Sequence, residues 1–285
     1  MINLIAPSWP DYELLETGDG VRLERFGGHL IIRPDPNILW PKSRPEDPAW
    51  QSAEAVFIGK EDSTGWRMDD RLRAGWPVSW NGLKVTVRPT PFRHVGLFPE
   101  QSIQWQWLKE RIMASNRPAR VLNLFAYTGA ASIVAAQAGA EVCHLDASAG
   151  AIRWAKENAA LSSLPPTAIR WIQDDGLKFM AREVRRGKKY DLILMDPPVF
   201  GRGPRGEIWR LEEGIEQLAE LTGALLSDQP IGLLVNFYAT ATYPISIERV
   251  FADRLGDRLP LQAGCLCLQE SFSGKSFQTG FFLRS

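Results

Sequence analysis

The sequence predicts an α/β protein in which a small β-rich domain precedes a parallel sheet of the nucleotide-cofactor type, the sheet ending in a C-terminal antiparallel hairpin. Three observations predict it. As far as Arg93 the chain runs in short alternating segments broken by turn residues; after Pro99 strand-like and helix-like segments alternate; and the last two strand-like segments, Cys265–Glu270 and Thr279–Arg284, are joined by only a short polar link. At 285 residues and 32.0 kDa the chain exceeds what one hydrophobic core comfortably fills. The change of pattern divides it into 1–95 and 96–285.

Composition narrows the function classes. With 45% hydrophobic and 23% charged residues the chain is ordinarily globular, and no apolar run approaches the roughly 20 residues needed to cross a bilayer. Met1–Pro10 carries no basic residue ahead of an apolar stretch, so no secretory leader is expected. Three cysteines, an odd number, suit reduced thiols and a cytoplasmic location. Lys plus Arg and Asp plus Glu are 33 each, so the net charge is zero, and any nucleic-acid role rests on a local patch.

In the first domain, Tyr12–Thr17, the turn Gly18-Asp19-Gly20 and Val21–Phe26 read as a hairpin, extended past Gly27-Gly28 by His29–Arg33. Five prolines between Pro34 and Pro48 exclude a strand or helix interior there. Trp76–Trp80 and Leu83–Arg88, separated by Asn81-Gly82, form a second hairpin with a favoured turn dipeptide. Of 11 tryptophans, Trp9, Trp40, Trp50, Trp66, Trp76 and Trp80 fall in this part, as core filling or, alternatively, as a surface on which bases stack. Substrate recognition is the role assigned to this domain.

After Pro99, Glu100–Ala114 reads as a helix from Ile103, Trp107 and Ile112. Strands then fall at Val121–Phe125, Glu141–Leu145, Ile169–Gln173, Asp191–Met195 and Ile231–Phe237. Helices fall at Gly129–Ala138, Ser148–Leu161, Gly176–Arg186, Glu207–Leu226 and Tyr243–Leu255. Apolar strands in such alternation form a parallel sheet covered on both faces, and its ligand sits at the carboxyl ends of the strands.

Four strand ends carry chemistry. The first strand runs into Phe125-Ala126-Tyr127-Thr128-Gly129, which has one glycine where a pyrophosphate-binding turn needs three, so a cofactor without phosphates fits better. Asp146 ends the second strand, where a carboxylate can accept from both hydroxyls of a ribose. Asp174-Asp175-Gly176 ends the third, within reach of an adenine edge. Any one such acid serves equally well as a helix cap; three at successive strand ends favour a cofactor cleft. The fourth strand ends in Asp196-Pro197-Pro198-Val199-Phe200. Two prolines stop the strand and leave a carboxylate and a proline carbonyl as acceptors near an aromatic ring, which is what a planar amino-bearing base requires.

With these residues the segment from Gly96 to the C-terminus resembles the class I S-adenosylmethionine-dependent methyltransferases. It is most similar to the bacterial group that includes the 23S ribosomal RNA cytosine-C5 and guanine-N7 methyltransferases. The resemblance rests on Asn123-Leu124 with Phe125–Gly129, Asp146-Ala147-Ser148, Asp174-Asp175, Asp196–Phe200 and the upstream Gly96-Leu97-Phe98-Pro99-Glu100-Gln101. It implies a Rossmann-like sheet and S-adenosyl-L-methionine as cofactor. It further implies that Phe125, Ala126, Tyr127, Thr128 and Gly129 cradle the methionine end and that Asp146, with Ala147 and Ser148, holds the ribose. Asp175, with Gly176, would meet the adenine amino group; Phe98 and Gln101 would close over the site; Asp196, Pro197, Pro198 and Phe200 would receive the methyl acceptor.

Three departures stand out. Glu100 and Ser102 replace the Asp and Arg usual in that group, and no PUA module precedes the catalytic part. The fifth strand, Val235-Asn236-Phe237-Tyr238-Ala239-Thr240, lacks the cysteine of the C5 relatives. Methylation at C5 of a pyrimidine needs a thiolate to add at C6, and Cys143, Cys265 and Cys267 read as core. His29, His94 and His144 are scattered and form no metal set. C5 chemistry and metal catalysis are therefore rejected, leaving direct in-line transfer to a nitrogen or an oxygen, with a nitrogen of a ribosomal RNA base as the leading expectation.

Arg202, Arg205 and Arg210 follow Phe200 at the mouth of the cleft, the first two read as phosphate contacts. Arg182, Arg185, Arg186, Lys188 and Lys189 read as a solvated face at the opposite edge of the sheet. The alternatives open at this point are a protein or small-molecule acceptor, and a non-catalytic RNA-binding protein. Oligomeric state is open.

Overall fold

The computed structural model describes residues 2–59, 65–238 and 242–285, the side chain of Asp257 excepted. The chain begins with β1 (Ile2–Ala6), β2 (Tyr12–Gly18), β3 (Val21–Phe26), β4 (His29–Pro34), α1 (Pro48–Gln51), β5 (Ala55–Phe57), β6 (Trp66–Met68), β7 (Trp76–Trp80) and β8 (Leu83–Val87). A 3-10 turn at Pro99–Gln101 leads into α2 (Ser102–Ala114). Then come β9 (Arg120–Leu124), α3 (Ala130–Gln137), β10 (Glu141–Asp146), α4 (Ala149–Leu161), β11 (Ile169–Gln173) and α5 (Gly176–Arg185). The last elements are β12 (Leu192–Met195), β13 (Phe200–Arg202), β14 (Ile208–Arg210), α6 (Leu211–Leu225), β15 (Gly232–Phe237), α7 (Pro244–Leu255), β16 (Gln262–Gln269) and β17 (Ser276–Arg284).

Two compact units result: one of residues 1–4, 103–266 and 279–285, the other of 5–102 and 267–278. The β-rich unit holds a five-stranded sheet in the order β2-β3-β4-β5-β6 and the β7-β8 ribbon. Its tight turns follow their residues: Asn81 and Gly82 both take positive φ, 43° and 92°, between the paired Trp80 and Leu83, as a two-residue hairpin turn demands. β5 and β6 were not expected; at three residues each they are too short to show a period, and β5 is held by parallel pairing with β4.

Most tryptophans of this unit are tied into its frame. Trp50 and Trp76 are buried, and their indole N–H groups donate to Glu16 Oε2 at 2.9 Å and to the Phe26 carbonyl at 2.8 Å. Trp66 donates to the Thr90 carbonyl at 2.7 Å. A buried cluster joins Arg33 to Glu24 at 2.6 and 2.9 Å, with the Tyr12 hydroxyl donating to Glu24 at 3.0 Å. The Arg33 and Arg22 charges hold the Glu24 carboxyl at about 2 against the cost of burial.

The other unit is built on an eight-stranded sheet, β1-β16-β17-β15-β12-β9-β10-β11. Its centre, β15-β12-β9-β10-β11, is parallel, and β17 runs antiparallel to β15. The α/β expectation therefore holds, with the C-terminal hairpin extending the sheet beyond its fifth parallel strand. On one face Leu122, Leu124, Ile193, Met195, Leu233 and Val235 pack with Phe179, Leu218 and Phe251 from α5, α6 and α7. Burying each such side chain contributes about 1.5–3 kcal/mol.

One expected helix starts late. Glu207–Leu226 was read as helical throughout, but Ile208–Arg210 is a strand paired with Phe200–Arg202, and α6 begins at Leu211. The intervening Gly203-Pro204-Arg205-Gly206 turns the chain back, with the Gly203 amide donating to the Glu207 carbonyl at 2.8 Å. Ala239 and Thr240, expected at the end of the fifth strand, lie outside the described residues. No helix among the described residues is long and apolar enough to cross a membrane.

Candidate functional site

Chain order and sheet order diverge at β9. From it the chain proceeds through β10 and β11 to one side, then through β12 and β15 to the other. The carboxyl ends of β9 and β12 thus flank the point where an open α/β sheet forms its crevice. Phe125–Gly129 leaves β9 there, and Asp196 leaves β12; the Asp196 amide donates to the Leu124 carbonyl at 3.4 Å.

Three of the five loop residues have positive φ: Phe125 at 54°, Tyr127 at 48° and Gly129 at 88°. Such backbone is costly for non-glycine residues, so it persists only where neighbours hold it. The Tyr127 amide donates to Asp146 Oδ2 at 2.8 Å, and the Thr128 carbonyl accepts from buried Asn158 at 2.9 Å. Gly129 is required twice over: besides its φ, a Cβ there would stand 2.9 Å from Cβ of Ala155 on α4. Beneath the loop lies a buried polar chain, in which Asn123 Nδ2 donates to Ser132 Oγ at 2.9 Å and Ser132 Oγ lies 3.0 Å from His144 Nδ1. Burial lowers His144 to about 3, so it is neutral.

Asp146 joins two loops. Its Oδ2 takes the Tyr127 amide and its Oδ1 the Ser148 amide, both at 2.8 Å. Burial raises its pKa, opposed by the amides of Ser148, Tyr127 and Ala147. Ser148 caps α4, its Oγ accepting from Ala151 N at 3.2 Å. Asp175 caps α5 in the same way, Oδ1 accepting from Lys178 N at 2.9 Å. Asp174 is buried and ion-paired with Arg182. That pairing corrects the reading of Arg182 as part of a solvated far face, because its guanidinium reaches back along α5 to the carboxyl end of β11.

The Asp196–Phe200 segment leads into the β13–β14 ribbon. Pro197 is buried, Asp196 half-buried and Pro198 exposed, and the Phe200 ring is 49% exposed with the Arg210 guanidinium 5.6 Å from its centroid. Trp209 organises this corner. Its Nε1 donates to the Pro198 carbonyl at 2.6 Å, its ring lies 5.2 Å from that of Phe125, and a Cβ on Gly214 would strike it at 2.4 Å. Phe125 in turn covers Gly176, where an added Cβ would meet the ring at 3.1 Å. The Pro198 carbonyl is thus engaged within the protein.

The ribbon tip is held by charge. Glu207 accepts from Lys178 Nζ at 2.8 Å and from the Arg205 amide at 2.8 Å, which keeps its carboxyl at about 2. Arg205 lies 3.7 Å from Asp174 and 3.5 Å from Glu207 and is 70% exposed. Arg202 is exposed and has no ion-pair partner among the described residues.

Phe98 and Gln101 belong to the β-rich unit. There the Phe98 carbonyl accepts from the Gln101 amide at 3.1 Å, and the Phe98 ring lies 5.3 Å from His94. All three cysteines are buried and unpaired by disulfide; burial pushes Cys143 up to about 11, far from a nucleophilic thiolate at neutral pH. Among the described residues no group of three His, Cys, Asp or Glu side chains is placed to hold a metal ion. Trp209 and Asn158 were missed by sequence reasoning. For Trp209 the Gly-Pro-Arg-Gly turn ahead of it was an available signal; Asn158 is one polar residue within a helix and gives none.

Residues 47–226 match the S-adenosylmethionine-dependent methyltransferase family. The ribosomal RNA large subunit methyltransferase I of Tolumonas auensis is 33% identical over 179 residues, which are 61% of this chain and 42% of that protein. The ribosomal RNA large subunit methyltransferase K/L of Shewanella frigidimarina is 36% identical over 147 residues, 51% of this chain and 19% of that protein. The chain therefore spans less than half the length of these curated relatives. A crystal structure of an S-adenosylmethionine-dependent methyltransferase from Agrobacterium tumefaciens superposes with a TM-score of 0.95 at 40% identity, covering 100% of this chain and 93% of that one. A Streptococcus mutans structure, with a TM-score of 0.68 at 17% identity over 97% of this chain and 75% of that one, shares the fold.

Proposed function

The chain belongs to the S-adenosylmethionine-dependent methyltransferase family, and from that premise we propose that it methylates a nitrogen of an RNA base, in ribosomal RNA, as a cytoplasmic enzyme. The observation that carries this reading is Asp196-Pro197 at the crevice, with a half-exposed phenyl ring at Phe200 beside it. Relatives named as ribosomal RNA methyltransferases support RNA as the substrate.

The residues fit the cofactor. The loop Phe125–Gly129 is held open by positive φ at three positions, and no added side chain fits at Gly129. Asp146 supplies carboxylate acceptors at the neighbouring strand end. S-adenosylmethionine supplies an electrophilic methyl group on a sulfonium and leaves as S-adenosylhomocysteine. Asp196 and the Pro197 carbonyl hold the acceptor amino group so that its nitrogen lone pair points at that methyl, and Phe200 stacks on the base. The Asp196 carboxylate would take up the surplus amino proton as the methyl is transferred and would pass it to water.

Transfer of labelled methyl to RNA from a strain lacking this protein, followed by nucleoside analysis, tests the reading. Label is expected in a single N-methylated nucleoside, and Phe200→Ala is expected to lower kcat/KM by about ten- to a hundredfold, the worth of one stacked base. Label on protein alone would instead establish the second reading, a protein acceptor, which the neutral net charge favours. For the cofactor, Asp146→Ala is expected to weaken S-adenosylmethionine binding by about 1.5–3 kcal/mol. Unchanged affinity in titration calorimetry would remove Asp146 from the site.

A further inference from the structure

The β13–β14 ribbon sorts its side chains between two faces. Phe200 is paired with Arg210, Gly201 with Trp209 and Arg202 with Ile208. Directly opposed residues share a face, and successive residues alternate. Gly201 and Trp209 turn inward, where a Cβ on Gly201 would meet Pro198 at 3.4 Å and Trp209 at 3.7 Å. Glu207, two residues before Trp209, falls on the same face and accepts from Lys178 Nζ at 2.8 Å. Phe200, Arg202, Ile208 and Arg210 turn outward, and all four are exposed.

Ile208 is 62% exposed, so most of its apolar surface gains nothing from the fold itself. The ribbon's acid lies on the inner face, which leaves two guanidinium groups and two apolar side chains on the outer one. Arg210 lies 3.5 Å from Glu213, an exposed acid of α6, whereas Arg202 has no ion-pair partner among the described residues. Cations interleaved with apolar side chains complement a polyanion whose every unit carries a flat ring. Trp209, buried and bonded to the Pro198 carbonyl, fixes the ribbon in place. A face held in this way loses little freedom when a partner docks.

We propose that the outer face of the ribbon grips a single-stranded segment of the RNA substrate next to the target nucleotide. Arg202 and Arg210 meet phosphates, and Ile208 packs on the neighbouring base while Phe200 takes the target base. The inference rests on the RNA-base reading above and adds to it the strand state of the substrate and two further residues that hold it, Ile208 and Arg210. Diagonal neighbours across a ribbon stand about 7–8 Å apart, roughly twice the 3.4 Å rise between stacked nucleotides. Phe200 and Ile208 are such neighbours, so they suit two bases splayed apart. An RNA duplex keeps its bases stacked, and its major groove is too deep and narrow to be read.

The test uses the full chain in fluorescence anisotropy with a labelled RNA strand of about 12 nucleotides, free or annealed to its complement. The free strand is expected to bind about tenfold more tightly than the duplex, or better. Ile208→Asp sets a carboxylate among the phosphates and is expected to weaken strand binding by about ten- to a hundredfold. Arg202→Gln is expected to flatten the log–log salt dependence by about 0.7, the share of one phosphate on a single strand. Arg210→Gln should flatten it less, because Glu213 already shares that charge. All three positions are exposed, so Tm and S-adenosylmethionine affinity are expected to match the native chain. In methyl transfer to RNA from a strain lacking the protein, Ile208→Asp should raise KM more than it lowers kcat. Native-like RNA binding by both Ile208→Asp and Arg202→Gln, or equal affinity for strand and duplex, would overturn the inference. The RNA reading would still stand in that case, provided the native chain labels RNA. A native chain that neither binds nor labels RNA, with cofactor binding intact, would overturn both.

Discussion

Replacing Asp196 with alanine is expected to lower kcat for methyl transfer by about 10²–10⁴-fold while S-adenosylmethionine affinity hardly moves. Asp196 follows the last residue of β12, with the buried core strand behind it and Pro197-Pro198 ahead, so its backbone has little freedom to relocate the carboxylate. On the proposed reading the side chain acts at one place, the acceptor nitrogen, where it would orient the amino group and take up its proton. Alanine removes both functions; asparagine keeps an acceptor and loses the charge, so Asp196→Asn should fall between alanine and the native enzyme. Single-turnover rates and cofactor titration on the same preparations separate the steps. A native kcat in Asp196→Ala would mean that methyl transfer takes place elsewhere.

The second large effect is on stability at mildly acidic pH. His144 is held at about 3 by burial, and His94 at about 3 by burial together with the charges of Arg33, Arg93 and Arg22, against 6.5 for an unhindered histidine. Both are neutral in the fold at pH 7. Their contribution is complete above pH 6.5; as the pH falls below it, the unfolded chain binds a proton that the native state refuses, and stability drops towards pH 3. Each histidine contributes a slope approaching about 1.4 kcal/mol per pH unit. The depressed carboxylate Glu24, at about 2, responds only below its ordinary 4.5, so the window from 6.5 to 4.5 isolates the histidines from it. Glu100 and Asp146, raised by burial, run the other way. Comparison with His94→Gln and His144→Gln cancels that background. Urea unfolding at several pH values should show each variant losing its histidine's share of the slope, and equal slopes in native and variant proteins would contradict the neutral, buried state.

Much of the fold was legible because local chemistry and tertiary structure ask for the same thing. The Asn81-Gly82 turn, the proline-rich stretch and the alternation after Pro99 each carry a backbone requirement within a few residues. The β13–β14 ribbon was not legible in the same way. Ile208–Arg210 is as compatible with a helix start as with a strand, and it is a strand because Trp209 finds the Pro198 carbonyl and the space above Gly214. Arg182 was misplaced for a similar reason: a basic helix end reads as a solvated face until a buried acid such as Asp174 is seen to lie within its reach.

By itself the sequence determined the alternating architecture, the loop at Phe125–Gly129 and the acids that close successive strands, because each rests on residue types and spacings that act over a single turn or strand. Only the tertiary structure decided which of these groups remain available to a ligand. It engaged the Pro198 carbonyl with Trp209, used Asp175 as a cap and paired Asp174 with Arg182. The physical reason is that satisfying a buried polar group depends on neighbours tens of residues away in the chain, and strand register, which brings them together, is not encoded in any one segment.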